Sequence, residues 1–211
     1  MLEITSTPLV IMAILGTVGV LIPIISIARK EQGSNSFYAV IAFAALIVSI
    51  GYVGYQFIND NVAASALFSE DVLVDDAFGG LFAIAMLIVA LFTTVGSFNY
   101  MRKHNSPAVY YSLILLATIG MVLVAYSTDL VMLFVAWELM SLPTYILVGF
   151  MKKNPSSNEA ALKYFLFGAL SSAIIVYGIS IAYGLTGSTN IGQVIQGYST
   201  LDPSMLPLAL L

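Results

Sequence analysis

Six long apolar stretches separated by short polar segments dominate the pattern of the chain. They run over Leu9–Ala28, Phe37–Ile58, Ala77–Phe98, Pro107–Tyr126, Leu130–Phe150 and Asn158–Leu185. Each has about the 20 residues that a helix needs to cross the hydrocarbon of a bilayer. Because lipid offers no partner to backbone N–H and C=O groups, each span must be helical, and the alternation of a barrel strand is absent. The pattern predicts an all-α polytopic membrane protein with six transmembrane helices.

Two further segments extend this pattern at the ends of the chain. The opening MLEITSTPLV has neither the basic region nor the cleavage site of a signal peptide, so we expect the first apolar run to be a retained helix. The segment Asn190–Tyr198 is mildly amphipathic, which predicts a helix at the outer membrane surface. A new apolar run begins at Pro203 and the sequence stops at Leu211, too soon to span. We expect this run to be the start of a seventh span in a larger module.

The composition agrees with a lipid environment and limits the chemistry. Only 9% of the residues are charged, against about 25% in soluble domains. The net charge of −4 argues against nucleic acid as a partner. Cysteine is absent and His104 is the single histidine, which excludes disulfides, Fe–S clusters and bis-His haem within this chain. We therefore expect no cofactor here, and any electron transfer to occur on another subunit.

The charges that lie outside the spans predict the orientation. Basic residues follow the first, third and fifth spans, and acidic residues follow the second and the sixth. The basic positions are Arg29, Lys30, Arg102, Lys103, His104, Lys152 and Lys153, and the acidic positions are Asp60, Glu70, Asp71, Asp75, Asp76 and Asp202. The positive-inside rule makes the basic loops cytoplasmic and leaves the N-terminus outside. His104 is expected to be a solvated loop residue.

Glu138 is the one acid deep inside a span, in the segment VAWELMSLPTYILVGF. A charge at mid-bilayer costs about 2.5–3.5 kcal/mol on insertion scales, so this carboxylate needs a partner, water or a proton. Tyr145 shares its helical face, and Pro143 predicts a kink that leaves the carbonyl of Leu139 without its helical donor. These neighbours favour a proton-path residue. The alternative is a buried glutamate that only fastens helices together.

Lys163 is the one basic residue inside a span. The segment Ser156-Ser157-Asn158-Glu159 fits a capping box, which would start the sixth helix near Ser157 and put Lys163 about two turns into it. The lysine then has two structural options, snorkelling to the interface or pairing with Glu159 at i−4. If the fifth and sixth helices are antiparallel neighbours, it lies about 10 Å from Glu138 along the axis and can bias its proton occupancy.

Other polar and small residues are assigned structural roles. Asp129 precedes the fifth span and is interpreted as a helix N-cap rather than a proton ligand. Gly168, Ala169, Ser172 and Ala173 are small residues at helical spacing, which predicts close helix packing without chemistry. The sequence contains no phosphate-binding loop, nucleophile triad or metal-binding cluster.

The segment from Ser127 to Ser188 resembles the antiporter-like membrane subunits of respiratory complex I. The residues that carry the resemblance are WELMSLPTYILVGF followed by EAALKYFLFGALSSA. The pattern is most similar to the N-type subunits of NADH–quinone oxidoreductase and of the archaeal reduced-deazaflavin (F-420) dehydrogenase. Residues 1–106 match this family only in hydropathy and order, as three leading helices. Residues 107–211 match an incomplete first antiporter-like repeat.

The resemblance implies a function in proton translocation driven by a redox reaction elsewhere. It implies that Glu138 belongs to a charged axis along a membrane arm and that Lys163 is typical of the N-type subunit. It also implies neighbouring membrane-arm subunits, flavin and Fe–S clusters on partner subunits, and a prokaryotic cytoplasmic membrane. Two alternatives stay open: a subunit of a multi-subunit cation/proton antiporter, and a purely structural membrane subunit.

Overall fold

Seven α-helices form along the part of the chain that the structure describes. The structure is a computed structural model, and it describes residues 6–29, 35–58, 65–66, 72–102, 106–201 and 203–205. The helices are α1 (Thr7–Ala28), α2 (Asn35–Ile58), α3 (Ala77–Met101), α4 (Pro107–Tyr126), α5 (Leu130–Val148), α6 (Pro155–Thr186) and α7 (Ile191–Ser199). The first six are long and apolar enough to cross a membrane. The predicted all-α, multi-pass membrane architecture is confirmed.

Short polar elements lie between the helices. Strands β1 (Ser65–Ala66) and β2 (Val74–Asp75) pair antiparallel between α2 and α3, which the apolar pattern did not predict. Helix α7 forms within the amphipathic segment predicted to lie at the outer surface, and its position at that surface stays a prediction. A 3₁₀ turn covers Pro203–Met205, and residues 206–211, which complete the predicted start of a seventh span, lie outside the described residues.

The start of α6 differs from the predicted capping box. Helix α6 begins at Pro155, and the side chain of Asn154 accepts the N-cap bond from the N–H of Ser156 at 3.0 Å. Proline suits the first helical position because its φ is already helical and its missing N–H would have no partner there. The capping-box prediction was therefore wrong, since Ser156 and Ser157 already lie inside the helix. Glu159 uses its carboxylate for Lys163 instead.

Helix α4 is the centre of the bundle. It packs against α1, α2, α3 and α5, and most of its side chains are buried, including the large rings of Tyr111 and Tyr126. Helix α6 is the opposite case: it packs against α5 and α7, and Ala182 is its one buried residue. Its exposed leucine, isoleucine and phenylalanine side chains agree with a helix in an apolar solvent.

Hydrogen bonds gather four helix ends at one end of the bundle. The N–H of Thr7 donates to the carboxylate of Asp75 at 2.7 Å, and the N–H of Thr128 donates to the carbonyl of Val72 at 3.1 Å. The N–H of Leu130 donates to the carbonyl of Thr189 at 2.8 Å. These bonds join the starts of α1, α3 and α5 to the end of α6. We call this the acidic end.

The opposite end of the bundle is basic. Arg29, Arg102 and the pair Lys152–Lys153 follow α1, α3 and α5, whose starts lie at the acidic end. The segregation of charge predicted for the loops is therefore present at these positions. Lys30, Lys103 and His104, and the acidic Asp60, Glu70, Asp71 and Asp202, lie outside the described residues.

Candidate functional site

Glu138 lies halfway along α5 and faces α6. Its carboxylate accepts a hydrogen bond from the hydroxyl of Ser172 on α6, and both side chains are half-buried. A charge-assisted hydrogen bond of this kind satisfies one lone pair of a carboxylate at membrane depth. Ser172 was predicted to serve helix packing alone, and that interpretation was wrong because its hydroxyl is the partner of the carboxylate.

Tyr145 contacts α6 two turns away from Glu138, on the same face of α5. Its ring packs edge-on against Tyr164 and Phe165, with centroid distances of 5.2 and 5.7 Å. Gly168 makes room for this ring, because a Cβ there would lie 2.1 Å from the Tyr145 hydroxyl oxygen. The predicted close packing at Gly168 is confirmed. Glu138 opposite Ser172 and Tyr145 opposite Gly168 make α5 and α6 antiparallel neighbours, the arrangement that the sequence had left open.

Gly120 of α4 brings a second helix against the Glu138 segment. A Cβ at this glycine would lie 2.4 Å from the backbone nitrogen of Met140 and 2.8 Å from the carbonyl oxygen of Ala136. The backbones of α4 and α5 therefore touch on both sides of Glu138, and glycine permits that approach. Sequence reasoning missed Gly120, because a lone glycine in an apolar span does not show which helix lies against it.

Pro143 is buried within α5, which continues through it to Val148. Proline cannot donate to the carbonyl of Leu139, one residue beyond Glu138. Two neighbouring hydroxyls bond back to the helix: Ser141 donates to the carbonyl of Trp137 at 2.8 Å, and Thr144 donates to the carbonyl of Ser141 at 2.7 Å. Such back-bonding accompanies bent helices. The kink at Pro143 stays a prediction.

Lys163 pairs with Glu159 on the same helix. This i−4 pairing was one of the two structural options open from the sequence. Lys163 precedes Ser172 by nine residues, which puts it about 14 Å from the level of Glu138 by helical rise. The offset is larger than the predicted 10 Å or so, and both side chains of the ion pair are largely exposed. The structure therefore does not bring Lys163 and Glu138 into contact.

Asp129 caps α5, as predicted. Its carboxylate accepts from the N–H groups of Val131 at 2.8 Å and Met132 at 3.0 Å. It also accepts from the hydroxyl of Thr189 at 2.5 Å. The side chain is buried, and its bond from Thr189 connects the start of α5 to the end of α6. This cap sets the position of α5, and hence of Glu138, relative to α6.

The arrangement at Glu138 suits proton binding better than metal or covalent chemistry. In the part of the chain that is described, no three His, Asp or Glu side chains gather into a metal site. Glu138 has a hydroxyl donor on α6, its own helix lacks the backbone bond that Pro143 cannot donate, and its side chain is only partly buried. A carboxylate with one fixed partner and room for water is able to accept and release a proton.

Comparison with known proteins shows what the second part of the chain is similar to. The family described as NADH:quinone oxidoreductase/Mrp antiporter, transmembrane, matches residues 127–211. The matched region is therefore similar to this antiporter family. The match includes Glu138, Ser172, Lys163 and Asp129, so the whole α5–α6 contact lies within the family domain.

Named relatives extend the likeness beyond residues 127–211. NADH-quinone oxidoreductase subunit N 1 of Koribacter versatilis is 43% identical over 163 residues, which cover 76% of this chain and 32% of the relative. F(420)H(2) dehydrogenase subunit N of Methanosarcina mazei is 37% identical over 153 residues, covering 72% of this chain and 31% of the relative. The resemblance to N-type subunits is confirmed. The chain spans about a third of the length of these curated relatives.

A solved structure shows the same helix arrangement. In the respiratory complex I of Thermus thermophilus with bound aureothin, one chain superposes with a TM-score of 0.71 at 26% identity. The superposition covers 95% of this chain and 41% of that chain. The arrangement of the six helices from α1 onwards is therefore similar to that of a chain of this respiratory complex.

Proposed function

We propose that this chain is part of a membrane-arm subunit that translocates protons in a complex I-like oxidoreductase. The observation that carries the proposal is the carboxylate of Glu138 at mid-helix depth, bonded to the Ser172 hydroxyl of the neighbouring helix. An ionisable group in the middle of a span is costly without a function or a full set of partners. The family of residues 127–211 and the N-type relatives support the same assignment.

Glu138 gains and loses a proton during turnover, and Ser172 stabilises its ionised form. A hydroxyl donates a stronger hydrogen bond to a charged carboxylate than to a neutral carboxyl group. The bond from Ser172 therefore strengthens when the proton leaves Glu138. Lys163 influences this step only through its charge, from about 14 Å along the helix axis. Pro143 leaves the carbonyl of Leu139 without a helical donor, so water can bond to it. Tyr145 lies two turns from Glu138 on the same α5–α6 interface.

Electron transfer belongs to partner subunits in this proposal. The donor is NADH or a reduced deazaflavin, the acceptor is a quinone or phenazine, and flavin and Fe–S clusters lie on the partners. The chain itself has no cysteine, so it serves as a non-redox membrane subunit of the oxidoreductase. It sits in a prokaryotic cytoplasmic membrane beside other membrane-arm subunits. Its basic end faces the cytoplasm and its acidic end faces outside.

Replacement of Glu138 by glutamine tests the proposal. In the assembled complex, E138Q keeps the shape of the side chain and removes its proton exchange, so proton uptake per electron transferred should fall to a small fraction of the wild-type value. E138D should recover part of it. The matched control is E31Q, the same change in the segment after α1. Wild-type pumping in E138Q, with the complex intact, would refute the assignment.

A cation/proton antiporter subunit is the second candidate, because the matching family includes Mrp antiporters. Transport assays separate the two. Sodium-dependent proton exchange without a redox substrate favours the antiporter, whereas co-purification with flavin- and Fe–S-bearing subunits favours the oxidoreductase. Full coupled activity in E138L would instead support a purely structural subunit, in which Glu138 only joins helices.

A further inference from the structure

A cleft of about 750 Å³ opens at the basic end of the bundle, between α3, α4 and the α5–α6 loop. Its walls combine aromatic and aliphatic side chains with two ammonium groups: Tyr100, Val109, Ile146, Phe150, Lys152 and Lys153. Among the described residues, no acidic side chain lines it. The cleft lies at the opposite end of α5 from the Asp129 cap, and it takes no part in the contact between Glu138 and Ser172.

The loop that carries the two lysines is held in place by its own hydrogen bonds. The hydroxyl of Ser157 donates to the carbonyl of Val148 at 2.8 Å, and the side-chain amide of Asn158 donates to the carbonyl of Lys152 at 3.1 Å. The N–H of Asn154 donates to the carbonyl of Met151 at 2.8 Å. The backbone beneath Lys152 and Lys153 is therefore fixed before any ligand arrives, which lowers the ordering cost of binding.

The charge of this cleft has no partner within the chain as described. The ion pair of the described residues joins Lys163 to Glu159, and neither Lys152 nor Lys153 pairs with an acid there. Both lysines are exposed at the end of a membrane span, where their side chains reach the headgroup layer. Two adjacent cations without a counter-charge favour an anionic ligand.

The apolar walls select the kind of anion. Ile146 and Val109 are 54% and 42% exposed, and they extend from the lysines along α5 and α4 into the span. Phe150 is held at one wall by an edge-on contact with Tyr110 at 5.3 Å. A soluble anion would use the ammonium groups and leave this apolar surface uncovered. A molecule with a phosphate at one end and a hydrocarbon chain at the other covers both.

We propose that this cleft binds an anionic phospholipid. The phosphodiester lies between Lys152 and Lys153, and one acyl chain follows Ile146 and Val109 toward the bilayer centre. Basic pockets between helix ends at one membrane face are the sites where anionic headgroups bind. The bound lipid contacts the α5–α6 loop directly, so it steadies the connection between the helix that carries Glu138 and the helix that carries Ser172. Its binding does not depend on the proposed proton function.

Photochemical labelling of the assembled complex tests the site. The complex is reconstituted in phosphatidylcholine vesicles that contain a photoreactive phosphatidylglycerol with its diazirine near the headgroup, and labelled peptides are located by mass spectrometry. Label should appear on the peptides that contain Ile146–Lys153 and Ser106–Val109. K152Q/K153Q should lower that labelling about thirtyfold, because each lysine near an anionic headgroup contributes roughly 1 kcal/mol and the two together roughly 2 kcal/mol. R29Q/K30Q, which removes two neighbouring charges after α1, should leave it unchanged.

Competition identifies the source of the phosphate. Unlabelled phosphatidylglycerol should suppress the labelling, whereas inorganic phosphate and phosphatidylcholine at equal concentration should not. Suppression by inorganic phosphate would overturn the proposal in favour of a soluble-anion site. Equal labelling by a photoreactive phosphatidylcholine, or wild-type labelling in K152Q/K153Q, would overturn it in favour of ordinary lipid contact. Size-exclusion elution of each variant complex at the wild-type position ensures that lost labelling is not lost assembly.

Discussion

The hydroxyl of Ser172 donates a hydrogen bond to the carboxylate of Glu138 across the α5–α6 interface. A hydrogen bond to a charged group contributes about 1.5–3 kcal/mol. Loss of the donor in S172A should destabilise the ionised form of Glu138. Coupled proton pumping should then fall several-fold, and electron transfer should be less affected. Proton uptake per electron in reconstituted vesicles measures the effect.

Ser171 offers a matched control for this change. It neighbours Ser172 on α6, and its hydroxyl bonds back to the carbonyl of Phe167 at 2.9 Å. S171A therefore removes the same atom from the same helix without touching Glu138, and it should pump like the wild type. Equal pumping in S172A and S171A would contradict a role for the hydrogen bond.

The charge of Lys163 and the ion pair that it forms can be separated by two substitutions. K163Q removes the positive charge, whereas E159Q keeps it and releases it from its partner. Because the pair is largely exposed, neither change should alter the free energy of unfolding by more than about 0.5 kcal/mol. K163Q should lower proton pumping and E159Q should retain most of it. If K163Q pumps normally, the lysine is only a surface partner of Glu159.

Gly120 should tolerate no larger side chain. In G120A the new methyl would clash with the backbone of Met140 and Ala136. Backbone atoms cannot avoid the clash by a rotamer change, so the two helices would have to move apart. Overpacking of this kind costs roughly 1–3 kcal/mol, so the thermal unfolding temperature in detergent should fall. G96A on α3, where a Cβ meets nothing within 4 Å, should unfold at or above the wild-type temperature because alanine favours a helix. Equal temperatures for both variants would contradict the close approach.

The cap at Asp129 should contribute measurably to stability. D129A removes two bonds to helix N–H groups and the bond from Thr189, and cap removal alone costs about 0.5–2 kcal/mol. D129N keeps an acceptor oxygen at the cap and should lose much less. Denaturant unfolding of the purified chain in detergent compares the two. A D129N variant as unstable as D129A would assign the stabilisation to charge rather than to the cap.

The spans and the Asp129 cap were predictable because each depends on a local pattern. Twenty apolar residues must form a helix in lipid, and an aspartate at the start of a span caps it wherever the helix lies. The role of Ser172 depends on register. Which residue of α6 stands opposite Glu138 is decided by the loop that joins the two helices, and apolar periodicity does not carry that information.

Other outcomes depended on competition between local options. Helix α6 begins at Pro155 rather than at the serine pair, so Asn154 is the N-cap residue. Glu159 is then free of a capping role and pairs with Lys163. The packing role of Gly120 was not predicted for a different reason. The role of a glycine in an apolar helix depends on which helix packs against it. Gly120 faces Ala136 and Met140, which lie well beyond it in the sequence, so local pattern does not reveal the contact.

The hydrogen bonds at both ends of the α5–α6 pair limit how this pair can respond to a proton. At the acidic end the backbone of Leu130 and Thr128 bonds to Thr189 and Ile191, and at the basic end Ser157 and Asn158 bond to Val148 and Lys152. A ratchet of one helix past the other by a turn would break all of these bonds together. The pair therefore resists sliding, and we expect a change of protonation at Glu138 to be accommodated by side-chain rotamers and water rather than by movement of the helices.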